Sequence, residues 1–320
     1  MILFDSGRTA LKAALIKLDK KISCVLVPNF ICDVVPITLR SLNIEVIYYK
    51  IKDDFTPDFE NVLNILHGGI QIDAFLMVNY FGQLQLIDEI LELTSSHGLI
   101  LIEDNSHGHG GSYQGKILGQ FGEIGFSSPR KILNRDSGGI GYVNGILLDC
   151  NNYPVKKSSF INSVKYVLLR LFPQIRILLN SRRDINNPFS YHEGKVEDMM
   201  AKKTELHKLK KVDWGFVAGK RRENWNEWKL WLKHNALQPA MELNMESCPW
   251  AIPVYIENAL QRKRLFRWLL RNGYTPFVWP SLPKEVLEKD YDCIIRWRKL
   301  LCIRLDKPPK NIKNLNFDEF

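Results

Sequence analysis

Lys131 stands in a segment whose residue types could support covalent chemistry. The segment runs Phe126-Ser-Ser-Pro-Arg-Lys131 and is followed by a Gly138-Gly139 pair. A lysine in a turn after a strand can form a Schiff base with a carbonyl compound when its amine is desolvated. Most lysines are simply solvated surface groups, so Lys131 taken alone is a candidate and no more.

An acidic residue and a histidine lie close together in LIEDNSHGHGG, residues 101–111. Asp104 is predicted to end a buried strand, and His107 follows three residues later. A carboxylate at such a strand end can pair with a pyridinium nitrogen and keep it protonated, which makes the ring an electron sink. Two alternatives stay open: a metal site built with Glu103 and His109, although no distant His or Cys cluster completes the ligand set, and a plain capped strand end.

A turn of small residues, Ser6-Gly7-Arg8-Thr9, opens the first predicted helix. The free N–H groups and the positive dipole end of a helix start suit a phosphate group, and the Arg8 and Thr9 side chains could add donors. Many helices begin with Ser-Gly for capping alone, so this turn indicates a phosphate site only in combination with the two other segments.

Apolar runs alternate with amphipathic stretches through the first half of the chain, which predicts a mostly parallel α/β sheet covered on both faces. In such sheets ligands bind beyond the carboxyl ends of the strands, where Asn29-Phe30, Asn79-Tyr80 and Glu103-Asp104 are expected. The predicted strands are Cys24–Pro28, Glu45–Ile51, Ala74–Tyr80, Leu99–Asp104, Ile124–Ser128 and Gly138–Gly145, and the helices between them are Thr9–Leu18, Asp33–Leu42 and Leu86–Ser96.

The second half has a different texture, with long basic and aromatic-rich helical patterns from about residue 151. Trp214, Trp225, Trp228 and Trp231 recur at near-helical spacing and are predicted to be core residues. A last α/β stretch contains the predicted strands 250–256 and 302–305 and a helix to Arg271. We therefore expect a large domain over residues 1–230 and a smaller C-terminal domain over 231–320.

Composition excludes several classes of protein. No run of about 18 apolar residues is present, so no membrane span is expected, and the first residues do not resemble a secretory signal. The six cysteines are scattered without a C-x-x-C pair, which indicates neither a zinc site nor a disulfide framework. The net charge of +9 comes largely from clusters interleaved with acidic residues, so a solvated helix face is favoured over nucleic-acid binding. A cytoplasmic location is expected.

Taken together, the segments resemble the DegT/StrS-type, pyridoxal phosphate (PLP)-dependent sugar aminotransferases, which have the fold-type-I architecture. The resemblance covers about residues 4–145 and more faintly 200–305. The stretches that carry it are FDSGRTALKAAL, VLVPNFICDVVPITLRSLNIEVIYYKI, LMVNYFGQ, HGLILIEDNSHGHGGSYQGKILGQFGEIGFSS and RKILNRDSGG. Their order and spacing match the family.

The resemblance implies a role for each candidate residue. Lys131 falls on the Schiff-base lysine, Asp104 on the partner of the pyridine nitrogen, and His107 on the residue beside the ring and its 3-hydroxyl. The phosphate-binding positions of the family fall on the turn and on one of two serines. Cys32 occupies the position of the aromatic residue that usually stacks on the cofactor, so a nearby aromatic residue is expected to replace it. These further cofactor-binding candidates are Gly7, Arg8, Thr9, Phe30, Ser127 and Ser128.

The implied activity is transfer of an amino group from an amino acid, usually glutamate, to a nucleotide-linked keto sugar in polysaccharide or glycoconjugate biosynthesis. A homodimer with active sites at the subunit interface is also implied, and a residue reaching the partner's cofactor is expected within 151–200. The segment that usually precedes the phosphate turn is expected to be absent. The alternatives are a non-catalytic binding protein with this fold and a PLP enzyme of another reaction type. Sugar dehydration is disfavoured because dehydrating relatives replace the lysine that Lys131 retains.

Overall fold

The computed structural model describes residues 3–135, 137–149, 153–155, 185, 187, 188, 198–201 and 203–309. The larger sheet is built from the first half of the chain, and helices connect the first four of its parallel strands. In chain order the elements of this half are α1 (Gly7–Lys17), β1 (Cys24–Pro28), α2 (Val34–Arg40), β2 (Glu45–Tyr49), α3 (Phe59–Leu66), β3 (Ala74–Val78), α4 (Ile87–Ser96), β4 (Ile100–Asn105), β5 (Ser112–Tyr113), β6 (Lys116–Ile117), β7 (Ile124–Ser127), α5 (Pro129–Leu133), β8 (Ile140–Val143) and β9 (Ile146–Leu147).

The larger sheet has seven strands in the order β2-β1-β3-β4-β7-β8-β9. Strands β1, β2, β3, β4 and β7 are parallel, whereas β8 and β9 return antiparallel at one edge. All five residues of β1 and of β3 are buried, because both faces of this sheet are covered. The α/β fold class expected from the sequence is confirmed.

The second half forms a smaller antiparallel sheet with flanking helices. Its order is β10-β12-β11, and its middle strand is the last one along the described part of the chain. The elements are α6 (Lys203–Lys210), α7 (Trp214–His234), β10 (Ala251–Tyr255), α8 (Ala259–Arg271), β11 (Pro276–Phe277), α9 (Lys284–Lys289), α10 (Tyr291–Lys299) and β12 (Leu300–Arg304).

Helix α7 supplies much of the core behind the smaller sheet. Trp225, Trp228 and Trp231 are buried and belong to one apolar cluster with residues of β10, α8 and β12. The predicted domain boundary at 230/231 falls inside this helix. Since the tryptophans of α7 pack with the smaller sheet, we propose that the smaller domain includes all of α7.

A second cluster joins the two sheets. Trp279 packs against Phe30, Tyr80 and Phe81, with ring centroids between 5.1 and 5.7 Å apart. Phe55 packs against the same group from the other side. The core of the larger sheet therefore continues into the C-terminal half of the chain.

Within the described ranges the chain has neither a membrane-spanning helix nor a candidate metal site. None of the helices there is long and apolar enough to cross a membrane. No group of three or more His, Cys, Asp or Glu side chains in the same ranges is arranged to hold a metal ion.

Candidate active site

A cavity of about 230 Å³ opens at the carboxyl ends of the parallel strands. Val78, Asp104 and Phe126 are register partners on β3, β4 and β7, and all three line it. Side chains alternate between the two faces of a strand, so Asp104 faces the cavity while its neighbour Glu103 faces the other side of the sheet. The cavity thus lies where ligands bind in open α/β sheets.

The start of α1 forms one wall of the cavity. Ser6 is the N-cap, and its hydroxyl accepts a hydrogen bond from the Thr9 amide at 3.3 Å. A Cβ atom on Gly7 would lie 3.1 Å from Ser106 Oγ and 3.5 Å from Ser128 Cβ, so glycine lets both serines approach the helix start. This wall combines hydroxyl groups with the positive end of an 11-residue helix.

Gly139 is the residue that lets β8 begin against this turn. A Cβ atom there would lie 2.1 Å from the carbonyl oxygen of Ser6, a distance that no side chain can occupy. Instead the Gly139 amide donates to the carbonyl of Phe4 at 2.7 Å, and the Phe4 amide donates back at 2.9 Å. The Gly138-Gly139 pair that follows Lys131 in sequence therefore fixes the turn before α1.

Asp104 is a buried carboxylate on the cavity wall. Its Oδ1 accepts a hydrogen bond from the amide of Ser106 at 2.8 Å. Burial raises the pKa of Asp104, and the nearby charge of Lys131 opposes that rise. A cationic group in the cavity would stabilise the ionised carboxylate further.

His107 is held as a neutral ring with a defined tautomer. Burial is the main cause that keeps its pKa well below the usual value, and the charge of Lys131 lowers it further. The Phe81 amide donates to Nδ1 at 3.3 Å, so the proton of the neutral ring is on Nε2. The ring stacks on Trp250 with centroids 4.7 Å apart. His107 can therefore donate a hydrogen bond from one edge while its face is covered.

Lys131 lies on α5 and lines the same cavity as Asp104 and His107. Its Nζ lies 5.4 Å from the centroid of the Trp250 ring. The structure thus brings together the three residues that the sequence singled out for covalent attachment, ring pairing and ring contact.

The two candidate serines have different surroundings. Ser128 lines the cavity, and its Oγ has only a long contact of 3.5 Å with the Gly138 carbonyl. Ser127 is fully buried, and its Oγ is hydrogen-bonded to His109 Nδ1 at 2.9 Å. Burial lowers the pKa of His109 to about 4, so this contact is one between neutral groups. The arrangement favours Ser128 over Ser127 for a ligand in the cavity.

Of the other cofactor-binding candidates, some line the cavity and some are buried behind its wall. Thr9 is buried and donates to Asp5 Oδ1 at 2.9 Å, while Gly7 and Arg8 line the cavity. Phe30 is also buried, and its ring packs against Trp279. Their proposed contact with a cofactor stays a prediction; in the structure, Ile31, Cys32 and Trp279 line the cavity next to Phe30.

Two tryptophans of the cavity wall were not among the candidates from the sequence. Trp250 precedes β10, and Trp279 follows β11, so both reach the site from the C-terminal half. The sequence pattern predicts Trp250 to be the first residue of a strand. A tryptophan beside a strand carries no local signal that it will face a cavity formed by residues more than 100 positions earlier.

The comparisons with known proteins agree with this geometry. Residues 1–144 match the model of the DegT/DnrJ/EryC1/StrS aminotransferase family. Over this N-terminal segment the chain is similar to that family. A curated relative, the putative pyridoxal phosphate-dependent aminotransferase EpsN of Bacillus subtilis, is 33% identical over 92 residues. The aligned segment is 28% of this chain and spans only 22% of EpsN.

Solved structures related to the same family match nearly the whole chain. A DegT/DnrJ/EryC1/StrS aminotransferase from Brucella abortus is 18% identical with a TM-score of 0.65, covering 99% of this chain and 83% of its own. Helicobacter pylori PseC, an aminotransferase of pseudoaminic acid biosynthesis, is 17% identical (TM-score 0.62; 94% and 80% covered). The GDP-4-keto-6-deoxy-D-mannose-3-dehydratase of E. coli, with bound hydrated PLP, is 19% identical (TM-score 0.62; 99% and 85% covered). At these identities the matches establish the fold.

The cavity residues fit PLP. The phosphate needs donors, which the start of α1, Arg8 and Ser128 supply. The pyridine nitrogen needs an acid, and Asp104 is a buried carboxylate on the same wall. The aldehyde carbon needs an amine, which Lys131 provides. The region 151–200, where a residue reaching the partner's cofactor was expected, lies almost wholly outside the described residues.

The serine surroundings lead to a binding prediction. Ser128→Ala should raise the Kd for PLP by about tenfold, because it removes a donor facing the cavity, whereas Ser127→Ala should raise it by less than about threefold. Fluorescence titration of the cofactor-free proteins measures both constants. Equal losses in the two variants would show that the phosphate does not distinguish between the serines.

Proposed function

We propose that this protein is a PLP-dependent aminotransferase that transfers an amino group from an amino acid, with glutamate the expected donor, to a nucleotide-linked keto sugar. The observation that carries the proposal is the shared cavity of Lys131 and Asp104 beside the start of α1. The family of residues 1–144 and the name of EpsN support an aminotransferase that uses PLP.

Each residue would have a distinct task at the site. PLP supplies an electron sink that stabilises negative charge developing on the carbon next to the amino group. Lys131 would hold the cofactor through Nζ, and its released amine would carry a proton between carbon atoms of the reactants. Asp104 would keep the ring nitrogen protonated. His107 would donate a hydrogen bond from Nε2 to the 3-hydroxyl oxygen of the cofactor, because its Nδ1 already accepts one from the Phe81 amide.

The substrate class rests on different support. PseC is named for the biosynthesis of pseudoaminic acid, and the E. coli neighbour is named for a nucleotide-linked keto sugar. Arg8 and Arg130 both line the cavity, so a ligand with several negative charges would meet cationic groups there. A nucleotide diphosphate has that charge, and polysaccharide or glycoconjugate biosynthesis is the pathway class we propose.

We further propose a cytoplasmic location and, as the sequence resemblance implies, a homodimer. The five cysteines within the described residues are free thiols, which is typical of proteins in reducing compartments. Sedimentation analysis of the purified protein tests the assembly state: a mass of twice the chain is expected.

The amino-acid half of the reaction tests the activity. Adding glutamate to the PLP-loaded protein should bleach the visible absorbance band, because the amino group moves onto the cofactor. A nucleotide-linked keto sugar should then restore the band. Absorbance spectra recorded after each addition measure both steps, and a sample with buffer in place of glutamate is the control.

Each result separates one alternative from the others. Bound PLP with a spectrum that glutamate and other common donors leave unchanged would favour a non-catalytic binding protein. Bleaching by glutamate without recovery on any keto sugar would keep the aminotransferase and reject the substrate class. A protein that takes up no PLP would reject the proposal altogether.

A further inference from the structure

The short helix that carries Lys131 ends against two arginines from the C-terminal half of the chain. Helix α5 has five residues, and its last carbonyls have no partner further along the helix. Asn134 caps it in the left-handed conformation, with φ of 53°. The carbonyls of Lys131 and Ile132 instead accept hydrogen bonds from guanidinium groups. The end of α5 is therefore fixed by contacts from outside the family-matched segment.

Arg304 holds the end of α5 from the smaller sheet. It is the last residue of β12, and its side chain is 10% exposed. One guanidinium nitrogen donates to the carbonyl of Lys131 at 3.1 Å, and the other donates to Asn134 Oδ1 at 3.1 Å. A planar guanidinium can make both contacts at once, which an ammonium group cannot do with the same geometry.

Arg221 makes the corresponding contacts from α7. Its guanidinium, which is 8% exposed, donates to the carbonyl of Ile132 and also to those of Pro249 and Trp250, at 3.3 and 3.2 Å. The same side chain thus joins the helix of Lys131 to the residue whose ring lies over the Lys131 amine. The backbone of Trp250 and the end of α5 cannot shift independently without breaking these bonds.

Asp306 links the two arginines. Its Oδ1 accepts from Arg221 at 2.8 Å and from Arg304 at 3.1 Å, and its Oδ2 lies 2.9 Å from Arg304 Nε. One carboxylate between two guanidinium groups leaves a net positive charge at the carbonyl end of α5, which favours the partial negative charge there. It also orients both side chains, because its two oxygens contact the two guanidinium groups at 2.8 to 3.1 Å.

We propose that Arg221, Asp306 and Arg304 are positioning residues for Lys131. They fix the end of helix α5 and thereby the position of the Lys131 amine relative to the cavity. They also hold the backbone of Trp250 at a fixed position relative to that helix. The inference rests on the proposed function, because it gives Lys131 its role there. It assigns to the C-terminal half a direct part in presenting the amine.

The test measures how fast Lys131 takes up the cofactor. PLP is added to cofactor-free protein, samples are quenched with borohydride at intervals, and peptide mapping quantifies the phosphopyridoxyl group on Lys131. Arg304→Gln should slow its appearance by roughly tenfold, since a displacement of about 1 Å can cost a reacting group about a hundredfold. Arg304→Lys should fall between the wild type and Arg304→Gln.

Arg296→Gln is the matched control. Arg296 is 11% exposed and also joins the two halves, donating to the Ile51 carbonyl at 3.1 Å and to Asp53 at 3.0 Å, away from α5. We expect similar losses of thermal stability in Arg304→Gln and Arg296→Gln, but slower modification of Lys131 only in the first. If Arg304→Gln does not fold, Asp306→Asn is compared with Asp53→Asn in the same way.

The outcomes distinguish this inference from the proposed function. A wild-type protein that fixes no phosphopyridoxyl group on Lys131 overturns the function and the positioning role with it. Wild-type modification at Lys131, with equal rates in the Arg304 and Arg296 variants, overturns the positioning role alone. Slower modification confined to the Arg304 and Asp306 variants establishes it.

Discussion

Lys131→Ala should lose amine transfer, with a fall in kcat of roughly a thousandfold or more, while still taking up PLP. The change removes both the amine that attaches the cofactor and the group that would carry the proton. Binding should survive because Gly7, Arg8 and Ser128, which we propose as the phosphate-binding residues, line the cavity and are untouched. Steady-state rates and an absorbance spectrum of the PLP-treated variant measure the two effects, and the band of the lysine-bound cofactor should be missing.

Lys116→Ala is a suitable control for that variant. Lys116 also lies over an aromatic ring, 4.8 Å from the centroid of Phe121, but it is not part of the cavity wall. It should retain the wild-type rate and spectrum. Borohydride treatment of the wild type should place the phosphopyridoxyl group on Lys131. Finding it on another lysine would refute the assignment, as would an active Lys131→Ala protein.

Asp104→Asn should reduce the rate of amine transfer by at least about a hundredfold, or a few kcal/mol of barrier. An amide cannot keep the ring nitrogen protonated, so the electron sink is lost. The cofactor-free variant should be at least as stable as the wild type. Burial raises the pKa of Asp104, so ionising this carboxyl costs free energy in the folded state, and the amide oxygen can still accept from Ser106. Rates and thermal unfolding measure the two effects.

The neighbouring acid offers a matched control. Glu103 is also fully buried on β4, where burial raises its pKa to about 6, but it faces away from the cavity and accepts from Asn79 and the Phe121 amide. Glu103→Gln should keep most of the rate. His107→Ala should have an effect smaller than that of Asp104→Asn, because His107 would act on the 3-hydroxyl and the position of the ring and not on its nitrogen. A wild-type rate in Asp104→Asn would mean that Asp104 only caps its strand.

The sequence predicted the part of the fold that local patterns encode. Strand β1 was predicted residue for residue, and β3 and β4 to within two residues at each end, because buried parallel strands are unbroken apolar runs. Since the carboxyl ends of such strands meet at one edge, the same pattern placed Asp104 at the cavity. Helix α3 was not predicted, because it has only eight residues and Val62 is the only buried one among them.

The part of the site that the sequence did not predict depends on long-range packing. Trp250 and Trp279 reach the cavity because the smaller sheet packs there, and no periodicity in their own segments encodes that contact. The basic cluster Lys220-Arg221-Arg222 illustrates the same limit. It was predicted to be a solvated helix face, yet Arg221 is buried and bonded to three backbone carbonyls, while Lys220 is exposed. Charge patterning alone does not reveal which member of a cluster will be enclosed.

The aromatic cluster shared by the two sheets bears on how such a protein can evolve. A fragment ending at residue 144 would lack Trp279 and leave the packed faces of Phe30, Tyr80 and Phe81 bare, so it should aggregate rather than fold. Recombination between relatives at the end of the family-matched segment would meet the same difficulty. An exchanged C-terminal half would succeed only if it brought an aromatic side chain of matching size to the place of Trp279. Inheritance of the two halves is thereby coupled, and Trp279 is one of the side chains that couple them.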